Sequence, residues 1–168
     1  MITTKLPRLS TIELAKEDMK FSSGHFTIFS ATERERLHGH NFSVSASITA
    51  EVLDNGMCFD YGVYKKMLRQ LCDEWDEYVI LPALSPHIRI EEDAEHVFVV
   101  FNNQRMPFLR EDTLILPIAN ATLEEFSRLL LEKLTAQPED LIHYKVHALT
   151  VRVGSGPGQT ASATWVRS

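Results

Sequence analysis

Residues 41–52 constrain the fold more than any other stretch of the chain. Phe42, Val44, Ala46, Ile48, Ala50 and Val52 alternate with Asn41, Ser43, Ser45, Ser47, Thr49 and Glu51. Successive side chains of a strand point to opposite faces, so this period of two predicts a long β-strand with one buried and one wet face. Asp54-Asn55-Gly56 follows as a turn. Residues 19–29 read as an earlier strand, paired with the first as an antiparallel ribbon around a loop at 31–36.

Residues 64–75 switch to a helical period. Tyr64, Met67, Leu68, Leu71, Cys72 and Trp75 form one stripe, with Lys65, Lys66, Arg69, Gln70 and Asp73 off it. Leu81-Pro82 and Ser85-Pro86 read as loop. Residues 96–101 and 105–109 predict a short hairpin across Asn102-Asn103-Gln104. Thr122 with Glu125 three residues later is a capping-box pattern, opening a helix with Leu123, Phe126, Leu130 and Leu134 as its apolar stripe. Gln137-Pro138 is expected to end it. Residues 146–153 alternate again, a Gly/Pro loop covers 154–158, and a last strand covers 161–166. The order β-β-α-hairpin-α-β-β predicts an α+β fold, an antiparallel sheet with helices packed on one face.

A length of 168 residues with no repeat or linker implies a single domain over 1–168. With 44% hydrophobic and 24% charged residues the chain reads as soluble and globular. A net charge of -6 argues against a nucleic-acid partner, because phosphate binding needs a cationic face. An anionic small substrate stays open, since a few local Lys or Arg reverse the field in a pocket. Cys58 and Cys72 match no CxxC spacing and are expected as buried, unpaired side chains. The first twenty residues carry no continuous apolar run of the signal-peptide kind, and no stretch nears the ~20 apolar residues of a membrane span. The expectation is a cytoplasmic protein without a membrane partner.

His38 and His40 open the best strand. Residues two apart on a strand share a face, and His25 on the preceding strand reaches the same point if the two pair antiparallel. Three neutral imidazoles with a fourth position open describe a catalytic zinc site rather than a structural one. Zinc there would act as a Lewis acid on a substrate oxygen. Imidazole also serves iron and nickel. The competing reading is three separate, hydrogen-bonded histidines. His87, His96, His143 and His147 form no second cluster.

Phe21-Ser22-Ser23-Gly24-His25-Phe26, followed by Glu35-Arg36-Leu37-His38-Gly39-His40-Asn41-Phe42, resembles the zinc signature of the 6-pyruvoyl-tetrahydropterin synthase and 6-carboxytetrahydropterin synthase family. Cys58-Phe59-Asp60-Tyr61, residues 75–82, residues 120–125 and residues 151–161 are similar to further family segments in the same order. The resemblance covers residues 19–165. It implies the tunnelling fold (T-fold), an antiparallel four-stranded sheet with two helices on one face. It also implies zinc (Zn2+) on His25, His38 and His40, and a homo-oligomer of trimers or hexamers with the pterin site between subunits. The implied activity is that of a zinc-dependent lyase on dihydroneopterin triphosphate or a related pterin, giving a 6-pyruvoyl, 6-carboxy or 6-hydroxymethyl product.

Three positions depart from the family pattern. Arg34 stands where the family places a cysteine base, and Glu35 beside it resembles the branch in which Glu replaces that Cys. The other reading of Glu35 is a solvated charge in the run Glu33, Arg34, Glu35, Arg36. Asp76 is retained, but Glu77 replaces the histidine of an Asp-His proton relay. Two carboxylates are both acceptors when ionised and cannot reproduce a carboxylate–imidazole pair. Ser155 replaces a glutamate that grips the pterin ring, and a hydroxyl cannot receive two parallel donors. Glu124 is retained as a ring contact, or serves only as a first-turn helix acid. The catalytic candidates are therefore Glu35, Asp76 and Glu77, with Glu124 and Ser155 at the substrate. The alternatives are a pterin- or purine-binding paralogue without synthase activity, and an assembly protein stapled by zinc.

Overall fold

A computed structural model describes residues 6–168. Its strands and helices in chain order are β1 (Leu9–Leu14), β2 (Lys20–His25), β3 (His38–Glu51), α1 (Gly62–Trp75), β4 (Tyr78–Pro82), β5 (Arg89–Glu92), β6 (His96–Phe101), β7 (Gln104–Leu109), β8 (Thr113–Leu116), α2 (Leu123–Leu134), α3 (Pro138–His143), β9 (Val146–Gly156) and β10 (Gln159–Val166).

The long alternating strand is the spine. Along one edge of β3 lie β2, opposite residues 38–43, and β1, opposite residues 46–51. Along the other lies β9, which in turn pairs with β10. All four pairings are antiparallel, so β10-β9-β3-β2 is the four-stranded antiparallel sheet anticipated from the sequence. Two strands extend it in parallel, β4 beside β2 and β8 beside β4, and with β1 the sheet has seven strands. Phe42, Val44, Ala46, Ile48 and Ala50 are all buried on one face. Helices α1 and α2 cover that face with Tyr64, Leu68, Leu71, Cys72 and Trp75, and with Phe126, Leu129, Leu130 and Leu134. Among the described residues no helix is long and apolar enough to cross a membrane.

An aromatic knot closes the end of this core nearest the histidines. Phe21 stacks on Phe42 at 5.0 Å, and Phe126 meets Phe42 edge-on at 5.3 Å and Trp75 at 5.8 Å. Such pairs add about 0.5–1.5 kcal/mol each beyond their burial. A second, smaller core of Phe26, Ile28, Leu81, Val97, Val99 and Phe101 packs at the three-stranded sheet β5-β6-β7. Cys58 and Cys72 are free and buried, and burial pushes the Cys72 thiol up to about 12.

Several boundaries differ from those read in the sequence. The early strand stops at His25 instead of residue 29, because Ile28 gives its N–H and C=O to the Asn120 side chain. Leu81-Pro82 ends a strand, not a loop: Pro82 is the last residue of β4, beyond the β2 pairing at Tyr78 and Val79. The hairpin turn has both Asn102 and Asn103 at positive φ, 46° and 60°, the left-handed pair that a two-residue hairpin turn requires. Helix α2 ends at Leu134, and Pro138 begins α3, as a proline in the first helical turn does. Residues 154–156 continue β9, so Ser155 sits on a strand rather than in a loop. Strands β1, β4, β5 and β8 and the short helix α3 are additional to those predicted. Half of the capping box is present: Thr122 Oγ1 accepts from the Glu125 N–H at 3.5 Å. The Glu125 carboxylate instead accepts from the Ala119 N–H at 2.7 Å and pairs with Arg128.

Phe126 is fully buried at the centre of the aromatic knot. Phe126→Ala should lower the unfolding free energy by about 3–5 kcal/mol in urea titrations. A loss below about 1 kcal/mol, the range of a surface substitution, would contradict this packing.

Candidate metal centre

Register decides where the histidines fall. In the β2–β3 ladder Phe21 opposes Phe42, Ser23 opposes His40 and His25 opposes His38. Opposed residues of an antiparallel pair share a face, so the three imidazoles continue the row that begins with Phe21 and Phe42. Their ring centroids lie 4.6 Å apart for His25 and His38, 5.3 Å for His25 and His40, and 4.9 Å for His38 and His40. One ring nitrogen from each lies within 4.8 Å of the other two.

Two of the rings are oriented from behind. His25 Nδ1–H donates to the Ala121 carbonyl at 2.8 Å, and His38 Nδ1–H donates to the Arg36 carbonyl at 2.8 Å. Each bond fixes the tautomer with a bare Nε2, the arrangement that metal-ligating histidines adopt. His25 Nε2 is buried and has no hydrogen-bond partner in the protein. A buried polar atom left bare costs about 1–3 kcal/mol, and a cation held between the rings removes that cost. The donor set therefore fits a metal ion. Burial pushes the pKa of His25 below its ordinary 6.5; His38 and His40 act in the same direction, opposed by the Ala121 bond and Glu35. A neutral imidazole is the form that ligates.

Glu35 stands beside this centre, its Oε2 4.0 Å from His38 Nε2. The same oxygen accepts from the Thr27 N–H at 2.9 Å, and the Glu35 N–H donates to the Thr27 carbonyl at 2.8 Å. The glutamate is thus pinned to the chain that carries His25, and is not a free loop charge. Burial raises its pKa, but the Thr27 bonds and the neighbouring His38 and His25 outweigh that and hold it below the ordinary value. Desolvation therefore does not tune Glu35 upward; it stays ionised and ready to accept. Arg34 does not line the cavity. Its guanidinium lies 5.1 Å from the Phe26 ring centre and 5.6 Å from that of Phe101, and donates to the Glu35 carbonyl at 2.7 Å.

These groups wall a cavity of about 340 Å³, within the range of small-molecule sites. Thr27, Phe42 and Glu124 line it, as do Ser155, Gln159 and Thr160 from the β9–β10 end. Glu124 is exposed in the first turn of α2. Ser155 Oγ donates to Gln159 Oε1 at 3.1 Å, so this wall offers a hydroxyl–amide pair where a carboxylate was the family expectation. Gln159 escaped the sequence reading because only the bulge between Gln159 and Thr160 turns it toward Ser155.

Asp76 and Glu77 are not brought to this cavity within one chain. The Ser22 N–H donates to Asp76 Oδ1 at 2.6 Å, and the Glu77 N–H donates to the Ser22 carbonyl at 2.8 Å. The two residues clamp the end of α1 to β2, with Glu77 at φ 65°. Glu77 lines a second cavity of about 490 Å³, with Asp112, Asn41 and Tyr78. Of all the lining residues only His40 is common to both cavities. His147 pairs with Glu51 at 3.1 Å on the far part of the sheet and takes no part in the site.

A chain of this topology with three converging imidazoles defines a T-fold protein with a candidate metal centre. The chain belongs to the 6-pyruvoyl tetrahydropterin synthase family, whose model matches residues 13–164. It superposes on the 6-pyruvoyl tetrahydropterin synthases of Plasmodium vivax and Plasmodium falciparum with TM-scores of 0.90 and 0.89. Each comparison has 25% identity and covers 95% of this chain and 99% of the other. A protein of Methanocaldococcus jannaschii provisionally named a 6-carboxy-5,6,7,8-tetrahydropterin synthase is 26% identical over 144 residues, 85% of this chain and 88% of its own length.

The depressed pKa of His25 sets a pH dependence. Between its lower folded value and 6.5 the unfolded chain binds more protons than the folded one, so stability rises with pH there. For metal-free protein this contribution is complete above about 6.5 and disappears as the pH falls through the folded value. Urea titrations across that window should show the slope, and His25→Gln should flatten it. An equal slope in the variant would remove His25 as its source.

Proposed function

We propose that residues 1–168 act as one pterin-synthase-like domain, a zinc-dependent lyase on dihydroneopterin triphosphate or a close pterin relative. The observation that carries this reading is the bare, buried Nε2 of His25 among three imidazoles, with an ionised carboxylate 4.0 Å from His38. His25, His38 and His40 would hold the ion, which supplies Lewis-acid polarisation of a substrate side-chain oxygen when bound. Glu35 is the general base: its Oε2 faces the cavity and takes a proton from the substrate side chain. Glu124 presents a free carboxylate to the donors of a pterin ring, and the Ser155–Gln159 pair contacts the ring edge beside it. The triphosphate leaves toward solvent.

Asp76 and Glu77 enter this scheme through assembly. We propose a homo-oligomer, trimeric or hexameric, in which Glu77 of a neighbouring copy approaches the cavity as an altered proton relay.

A second reading is favoured by the Ser155–Gln159 wall. A hydroxyl–amide pair offers a donor and an acceptor in place of two acceptors. A pterin- or purine-binding paralogue without synthase activity fits that wall.

Zinc-loaded protein incubated with dihydroneopterin triphosphate, with the pterins separated by chromatography, decides between the two. A 6-pyruvoyl, 6-carboxy or 6-hydroxymethyl product is expected; saturable binding with no product selects the paralogue. Glu35→Gln should lower kcat by about 10²–10⁴-fold with its zinc content intact. His38→Ala should lose both zinc and turnover, and an unchanged rate in that variant would sink the mechanism.

A further inference from the structure

The chain between His25 and Glu35 leaves the sheet after His25, where strand pairing no longer fixes it. A single side chain takes over. The Ile28 N–H donates to Asn120 Oδ1 at 3.0 Å, and Asn120 Nδ2 donates to the Ile28 carbonyl at 2.8 Å. The carboxamide thus pairs with both backbone groups of one residue, as a neighbouring strand would. Its Oδ1 also accepts from the Ala121 N–H at 3.1 Å.

Those three bonds reach the site from two sides. Ala121 is fully buried, and its carbonyl is the acceptor that fixes His25 Nδ1. Thr27, next to Ile28, makes both hydrogen bonds that pin Glu35. The residues from Thr27 to Glu35 close on themselves through the Ile28–Arg34 bridge, so holding Ile28 holds Glu35 as well.

We infer that Asn120 is a positioning residue whose one carboxamide fixes both the tautomer of His25 and the perch of Glu35. Its consequence for catalysis rests on the metal reading above, whereas its geometry does not. Without the Asn120 side chain the Ala121–Thr122 peptide keeps only the Thr122 N–H bond to the Asn120 backbone carbonyl, at 3.0 Å, and its carbonyl is held less firmly against His25. His25 can then carry its proton on Nε2, the atom that must be bare to ligate.

The test reads three quantities. Long-range proton–nitrogen NMR of metal-free protein reports the His25 tautomer. Chelator competition gives the zinc Kd. Hydrogen exchange reports the Thr27 and Glu35 amides. The wild-type protein should hold His25 as the Nδ1–H tautomer. Asn120→Ala should give mixed tautomers, a zinc Kd raised about 10–100-fold, and amide exchange about tenfold faster. Asn120→Asp keeps the oxygen for Ile28 and Ala121 and loses the Nδ2 donor. It should retain the His25 tautomer while exchanging faster at Thr27 and Glu35. A lower Tm in Asn120→Ala, with tautomer, zinc Kd and exchange all unchanged, would make Asn120 merely structural and overturn the inference. Should Asn120→Ala not fold, unchanged exchange in Asn120→Asp overturns it. A wild-type protein that binds no zinc, yet loses its fixed tautomer in Asn120→Ala, upholds this inference and defeats the metal reading.

Discussion

The pairing of β2 with β3 is the interaction on which the rest depends. Its register sets Phe21 against Phe42 and His25 against His38. One residue of slip would send every side chain of β2 to the other face. The aromatic residues would go into water and His25 away from its two partners. The hydrophobic core and the candidate centre are thus successive stretches of one ladder, and the force that fixes the first also builds the second. Burying Phe21, Phe42 and Phe126 beside the imidazoles keeps His25 dry and neutral, with its Nε2 short of a hydrogen-bond partner.

The long alternating strand was legible because period two over a dozen residues admits no other structure, and with it the placement of His38 and His40. Helices α1 and α2 were legible for the same reason at a different period, and Thr122 marked the start of α2 correctly; α3, a turn and a half long, is too short to show a period. What local patterns left out are the places where distant groups take over backbone bonds. Nothing near Ile28 announces that Asn120, 92 residues away, ends the strand there. The short strands β4 and β8 carry no alternation because they pair in parallel within the sheet, so Pro82 was read as a loop signal. Gln159 enters the cavity through a bulge, which no spacing rule foretells.

The three departures from the family pattern acquire different physical meanings. Arg34 has been recruited into packing, over Phe26 and Phe101, and holds the backbone of the residue next to it. Glu35 stands beside the three imidazoles instead, ionised and fixed to Thr27. Ser155 shares its wall with Gln159, so that wall carries a neutral pair in place of a carboxylate. Glu77 donates its N–H to the Ser22 carbonyl and, with the retained Asp76 on the Ser22 N–H, ties the end of α1 to the strand that carries His25. The departures thus fall on the cavity wall and on the end of α1, while the three imidazoles and the carbonyls behind His25 and His38 stay in place.

X-ray absorption at the zinc edge of metal-loaded protein tests the central claim most directly. Three imidazole nitrogens at about 2.0–2.1 Å and one lighter-atom ligand from solvent are predicted, one ion per chain. A spectrum showing thiolate sulfur at about 2.3 Å, or fewer than three imidazoles, would place the ion elsewhere and contradict the account.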